Sequence, residues 1–132
     1  MERKINCNVL TPEGKVYAGE VDFAVVPAFK GEMGFLYNHA PLIAQLGLGE
    51  VRLMKGQDAE FMVVEGGFVE IIDNKLCIFP LKVYKKSDLF KEDIQKEIKE
   101  LQEQAKTFDY TKRFQIMEEI GRLKIKLKVA SR

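Results

Sequence analysis

Ile5, Cys7 and Val9 alternate with Asn6 and Asn8 near the start of the chain. A period of two sends alternate side chains to opposite faces, so this run predicts a β-strand with one dry face. Thr11-Pro12-Glu13-Gly14 ends it. Proline at the second position and glycine at the fourth suit a type I turn, and Val16 and Tyr17 are expected to begin the returning strand. Val21, Phe23 and Val25 alternate next, and Val51 and Leu53 repeat the pattern against Glu50 and Arg52. The runs Phe61–Val64 and Val69–Ile72 are denser in apolar residues, as in strands covered on both faces. Asp73-Asn74 then offers a two-residue hairpin into Leu76–Phe79. Roughly seven to ten short strands, with turns about every 8 to 12 residues, predict an antiparallel β-sandwich or flattened barrel.

The pattern changes beyond Val83. Phe90, Ile94, Ile98, Leu101, Ala105 and Phe108 are spaced 4, 4, 3, 4 and 3 apart. At 100° per residue they occupy a stripe about 80° wide, the mark of a one-sided helix. Ser87 is the expected N-cap, and Glu92 with Lys96 the expected i,i+4 ion pair. Asp109 can cap a second helix with Ile116, Ile120, Leu123, Leu127 and Ala130 on one side. Gly121 would serve where the two backbones approach closely, and the short Thr107–Tyr110 link makes the pair an antiparallel hairpin. One stretch competes with this reading, because Leu123 to Val129 alternates strictly and taken alone resembles a strand. In a helix Ile125 and Val129 point away from the main stripe, so either the end frays or a partner covers a second surface.

Composition sharpens the boundary. The first 82 residues hold all four prolines and nine of the ten glycines. The expected domains are therefore a β-sandwich over residues 1–84 and an α-helical hairpin over 85–132. Charge divides at the same place: residues 1–84 carry 8 basic and 11 acidic side chains, and residues 85–132 carry 13 and 9. The respective balances of −3 and +4 nearly cancel in the whole-chain +1. A nucleic-acid binder is ordinarily more basic, so none is expected as a partner. Cys7 and Cys77 lie in strand-like runs without metal-ligand spacing, which predicts buried, reduced thiols in a cytosolic compartment. No apolar run reaches transmembrane length, and Met1-Glu2-Arg3-Lys4 leads into the first strand without a signal or transit pattern. Any membrane association is expected to be indirect.

Reaction chemistry is missing from the sequence. His39 is the one histidine, which excludes arrangements that need a second imidazole, and no His, Cys and Asp cluster has metal-ligand spacing. Neither GxxxxGK[ST] nor GxGxxG occurs; Gly66-Gly67 reads as a bulge or crossing point within a strand run. Glu118-Glu119 reads as a solvated helix face. The expectation is a non-enzyme with no catalytic residue, cofactor or metal.

The segment Gly31-Glu32-Met33-Gly34-Phe35-Leu36-Tyr37-Asn38-His39-Ala40-Pro41-Leu42 is followed by Gly49-Glu50-Val51-Arg52 and by Gly66-Gly67-Phe68-Val69-Glu70. In that order these elements resemble the epsilon subunit of the rotary (F-type) ATP synthase, whose members commonly read GE(L/F)G(I/V)LPGHAPL, then GxxR, then GGFxE(V/I). The opening VLTPEG and the closing GRLKIKLKVA extend the resemblance over nearly the whole chain. Tyr37 and Asn38 stand where the family usually has proline and glycine, so a different local turn is expected.

The resemblance implies a non-catalytic central-stalk subunit that couples c-ring rotation to ATP synthesis. Its partners would be the gamma subunit and the c-ring, and its place the cytoplasmic face of the inner (plasma) membrane. The edge bearing Glu32, Met33, Tyr37, Asn38, His39 and Pro41 is the implied c-ring and gamma interface, with Glu32 able to pair with basic groups on a ring loop. The hairpin is implied to brake ATP hydrolysis, with Arg122, Lys124, Lys126, Lys128 and Arg132 reaching acidic segments of the catalytic beta subunits. Some bacterial members bind ATP through (I/L)DxxRA at the start of the hairpin. Neither register around Asp88 and Leu89 supplies the arginine and alanine here, so no nucleotide site is assigned. The alternative is a free-standing β-sandwich adaptor whose helical hairpin docks in another protein's groove.

Overall fold

A computed structural model describes residues 3–132; Met1 and Glu2, and with them the expected direct entry into the first strand, lie outside the described residues. The elements in order are β1 (Ile5–Thr11), β2 (Gly14–Val21), β3 (Phe23–Ala28), β4 (Gly31–Phe35), β5 (Leu42–Gln45), β6 (Leu48–Lys55), β7 (Asp58–Ile72) and β8 (Lys75–Lys85). A 3-10 turn (Lys86–Asp88) precedes α1 (Lys91–Ala105) and α2 (Tyr110–Ala130). The chain divides into two compact units, Met1–Tyr84 and Lys85–Arg132.

In the first unit the strands are ordered β2-β1-β8-β7-β6-β3-β4, and β5 pairs separately with β7. The sheet closes over a core that includes Ile5, Val9, Val26, Phe35, Leu53, Met62, Ile71 and Ile78. The fold is thus the expected β-sandwich with two helices after it. One ladder is parallel, however: Asn6–Val9 of β1 run alongside Lys75–Ile78 of β8.

The two dense runs around Gly66-Gly67 form one 15-residue strand, β7, rather than two. Its first half pairs with β6 and its second with β5. At the changeover the inward face shifts from the even positions Met62 and Val64 to the odd positions Val69 and Ile71. A bulge has this effect, since one extra residue reverses a period of two. Gly66 and Gly67 adopt φ values of +68° and +100°, and a Cβ on Gly67 would lie 2.0 Å from the Phe79 carbonyl oxygen. Only glycine fits that crossing.

The expected alternation through Val21, Phe23 and Val25 is corrected. Val21 closes β2, and Ala24 and Val26 of β3 face the core instead, leaving Phe23 38% exposed. Asp22 causes the break by anchoring a bend. Its carboxylate accepts hydrogen bonds from the Gly56 backbone N–H and from Lys4 Nζ, the latter at 3.0 Å. The expectation of two buried thiols holds for Cys7 but not for Cys77, which is half-buried. The β1–β8 register pairs Cys7 with Leu76 and Asn8 with Cys77, so the two sulfurs point to opposite faces.

In the second unit Ile94, Ile98, Ile120 and Leu123 form the shared apolar seam, with Leu101, Ile116, Leu127 and Ala130 packed around it. Leu123 to Val129 is helical, with Leu123 and Leu127 in that seam at helical spacing, and the end does not fray: Val129, expected to point away from the stripe, is fully buried outside the seam. Asp109 caps α2 as expected, its Oδ1 accepting the Lys112 backbone N–H at 3.0 Å. Ser87 does not cap α1. Asp88 instead accepts the Lys85 backbone N–H at 3.1 Å and closes the 3-10 turn, so α1 starts after an extended Phe90 that is 63% exposed. Glu92 and Lys96 form no ion pair among the described residues. Nor does Gly121 mark a close approach, since a Cβ there would meet open space.

Candidate docking surfaces

The turn between β4 and β5 is organised by its own backbone. The His39 N–H donates to the Leu36 carbonyl at 3.0 Å, and Asn38 sits at φ +59°. Asparagine accepts that left-handed conformation more readily than most side chains, and here it sits within a closed four-residue turn. Asn74 then clasps the turn to the β7–β8 hairpin. Its Oδ1 accepts the Asn38 N–H at 2.9 Å, while its Nδ2 donates to the Lys4 carbonyl at 2.8 Å. Residue spacing had marked Asn74 only as a hairpin residue. The available signal was its type, because an asparagine in a tight turn can bond distant backbone as well as its own.

The residues expected at this edge divide by orientation. Glu32, Tyr37, Asn38 and Pro41 are exposed, while Met33 is half-buried and packs against the sandwich core. His39 Nδ1 donates to the Ala40 carbonyl at 2.7 Å, and its ring lies 5.0 Å from that of Phe35 at a tilt of 58°. The imidazole is thereby held as part of the turn. Leu36 adds an exposed apolar side chain that spacing had not singled out.

Beside this edge lies an ion-paired triad. Arg52 Nη1 donates to Glu32 Oε2 at 2.9 Å and to Glu50 Oε1 at 3.2 Å. The Glu32 carboxylate, assisted by Glu50, pushes the guanidinium pKa up against the opposing effect of partial burial. Glu50, expected on a polar face, is 5% exposed. At Asp22 the Gly56 N–H, then Lys4, holds the carboxyl below its usual range. Burial pushes the Cys7 thiol up to about 12, which leaves it protonated and poorly nucleophilic at neutral pH.

A second surface is apolar. Phe68 and Ile72 of β7 point away from the core, as do Ile43 of β5 and Leu81 of β8, and all four are exposed. Phe68 stacks on Phe79 with ring centroids 4.7 Å apart. Ile43 pairs with Glu70, which lies between Phe68 and Ile72 on the same face, so this exposed apolar group carries one carboxylate; such groups are a feature of docking surfaces more than of solvated ones.

The expected cations on α2 separate around its axis. At 100° per residue, Arg122 and Lys126 share one side, and Lys124 and Lys128 the other. Lys124 and Lys128 are exposed, whereas Arg122 and Lys126 are half-buried and Arg122 pairs with Glu119 at 3.4 Å. Arg132 lies just beyond the helix, where its carbonyl accepts a hydrogen bond from Lys86 Nζ. Among the described residues no group of His, Cys, Asp and Glu side chains could hold a metal ion, and no helix is long and apolar enough to cross a membrane.

A sandwich with an apolar outer face and a clasped turn, followed by a helical hairpin, offers broad docking surfaces. A family model described as "ATP synthase, Delta/Epsilon chain, beta-sandwich domain" matches residues 4–84. The ATP synthase epsilon chain of Leptospira borgpetersenii is 44% identical over 103 residues, covering 78% of this chain and 79% of that one. That of Alkalihalophilus pseudofirmus is 50% identical over 74 residues, 56% of each chain. The chain therefore belongs to the ATP synthase epsilon chain family, and as such is a non-catalytic subunit of a membrane-associated complex. A cryo-EM structure of the Euglena gracilis mitochondrial ATP synthase, which includes the c-ring, contains a chain of the same fold. The TM-score is 0.81 at 19% identity, covering 100% of this chain and 84% of that one.

Proposed function

We propose that this subunit sits in the central stalk, binds the gamma subunit and the c-ring through its sandwich, and helps to transmit rotation. The observation that supports this reading is a pair of exposed surfaces on one module: the apolar side chains Ile43, Phe68, Ile72 and Leu81 on the outer face, and the clasped turn at Tyr37–Pro41. The first fits a largely apolar gamma partner, and the second a polar loop of the ring. An interface of this kind buries roughly 1,200 to 2,000 Å² in total. The location would be the cytoplasmic face of the inner (plasma) membrane. Membership of the family sets aside the free-standing adaptor.

The hairpin is proposed to restrain ATP hydrolysis by contacting acidic segments of the catalytic beta subunits. Exposed Lys124 and Lys128 favour that role, and the half-buried Arg122 and Lys126 would support it. Exposed ion pairs contribute about 0.2 to 1 kcal/mol each, so several together shift a two-state element, and the restraint should weaken with salt.

Deleting residues 85–132 in the assembled enzyme should preserve rotation-coupled synthesis and raise hydrolysis. Replacing Lys124, Lys126 and Lys128 with alanine should raise hydrolysis more at low than at high ionic strength. Unchanged hydrolysis in both variants would remove the restraint. Failure of the full chain to bind purified gamma subunit at micromolar concentration, measured by calorimetry, would remove the stalk assignment.

A further inference from the structure

One carboxylate interrupts the apolar outer face of the sandwich. The Gly66-Gly67 crossing exchanges the faces of β7, so that Val69 and Ile71 enter the core while Phe68, Glu70 and Ile72 point outward. Phe68 and Ile72 flank Glu70 along its own strand, and Ile43 lies directly across from it on β5. All three are exposed, and the stacking of Phe68 on Phe79 fixes one side of the surround.

Glu70 is half-buried among these neighbours. Among the described residues no hydrogen bond or ion pair holds its carboxylate. No side-chain oxygen among them is both buried and unpartnered, so the Glu70 oxygens are reached by water. That arrangement is stable in the free chain and costly in a complex. A partner that covers Ile43, Phe68 and Ile72 closes over Glu70 as well, because the carboxylate lies within their outline. Stripped of water and left unpaired, it would cancel much of what the apolar contacts contribute. A cation set against it reverses that sign.

We propose that Glu70 is a specificity-determining residue of this face, and that the gamma surface docking there places a cationic side chain against its carboxylate. The inference rests on the gamma-docking reading of the face given above. Arginine suits the position best, since its planar fork can meet both carboxylate oxygens while its stem lies along apolar neighbours. An apolar surface without a cation at that point is disfavoured, so Glu70 supplies a selectivity that the apolar side chains alone lack.

The test is calorimetric titration of the full-length chain with purified gamma subunit at several salt concentrations. Glu70→Gln keeps the shape of the side chain and removes its charge. It should weaken binding about tenfold or more, as expected for a charge pair enclosed at an interface. Much of that loss should persist at high salt, because an enclosed pair is screened less than an exposed one. Glu70→Lys sets like charges together and should weaken binding further.

Tighter or unchanged binding with Glu70→Gln overturns the cation, because removing an unpaired charge from an interface favours docking. The docking reading is tested separately by the double variant Ile43→Ser with Leu81→Ser, which removes apolar contact and leaves the charge alone. Loss in the serine variant with none in Glu70→Gln overturns the cation and keeps the face as the gamma contact. Unchanged binding in both overturns the docking reading and this inference with it. Melting curves report whether Glu70→Gln folds; should it not, Glu70→Thr, a better strand former, is read by the same sign.

Discussion

The sandwich and the hairpin solve the same packing problem with unequal resources. In the sandwich Ile5, Val9, Val26, Met62, Val69 and Ile78 are wholly buried and come from four strands, β1, β3, β7 and β8, so the core depends on residues distant in sequence. In the hairpin the seam is four side chains, Ile94, Ile98, Ile120 and Leu123, each keeping 3 to 8% exposure. Burial stabilises at about 25 cal/mol per Å² of apolar surface, so the first unit has far more to hold it than the second. Two helices with so narrow a seam are marginal by themselves. The lesson is a division of stability: one module is held by a broad core drawn from many strands, the other by a narrow seam between two helices.

The strongest way to break this comparison is to separate the units. Residues 1–84 alone should melt cooperatively, whereas residues 85–132 alone should lose most of their helical circular dichroism at 25 °C. A stable isolated hairpin, or an insoluble isolated sandwich, would erase the distinction.

A pair of glycine substitutions probes the same contrast at single residues. Gly67→Ala places a Cβ against the Phe79 carbonyl at a φ that side chains rarely adopt, and should cost about 3 kcal/mol or more in denaturant unfolding. Gly121→Ala meets nothing, and should stabilise α2 by about 0.5 to 1 kcal/mol. Opposite signs are required; a neutral Gly67→Ala would mean that β7 can turn its corner without a glycine.

Capping sets a scale between the two. Asp109→Ala removes the acceptor for the Lys112 N–H and should destabilise the hairpin by about 1 kcal/mol, read as reduced helicity with the sandwich signal unchanged. The smallest effect should come with pH. Asp22 has its folded pKa depressed, so its contribution is present above the unfolded value, near 3.8, and is lost as pH falls through the folded one. The fall in melting temperature between pH 5 and pH 3 should therefore be shallower in Asp22→Asn. An equal fall would remove Asp22 as a source of acid sensitivity.

Local regularities carried much of this protein. The alternation at Ile5, Cys7 and Val9, the helical stripe through Ile94 and Ile98, the positive-φ hairpin at Asp73-Asn74 and the Asp109 cap are each written within a few residues, and each formed as such. Ser87 misled because a competing local turn, closed by Asp88, was equally available to the chain. The edge residues at Glu32 and Tyr37–Pro41 were legible as a segment but not as an arrangement. Tertiary structure turned Met33 inward, tied Asn38 to Asn74, and joined Arg52 to two carboxylates. It also decided that β1 runs parallel to β8 and that β7 continues through Gly66-Gly67 with its faces exchanged. Periodicity records which side of a strand is dry. It does not record which strand lies alongside, and burial of polar groups such as Glu50 depends on partners brought together only when the sheet closes.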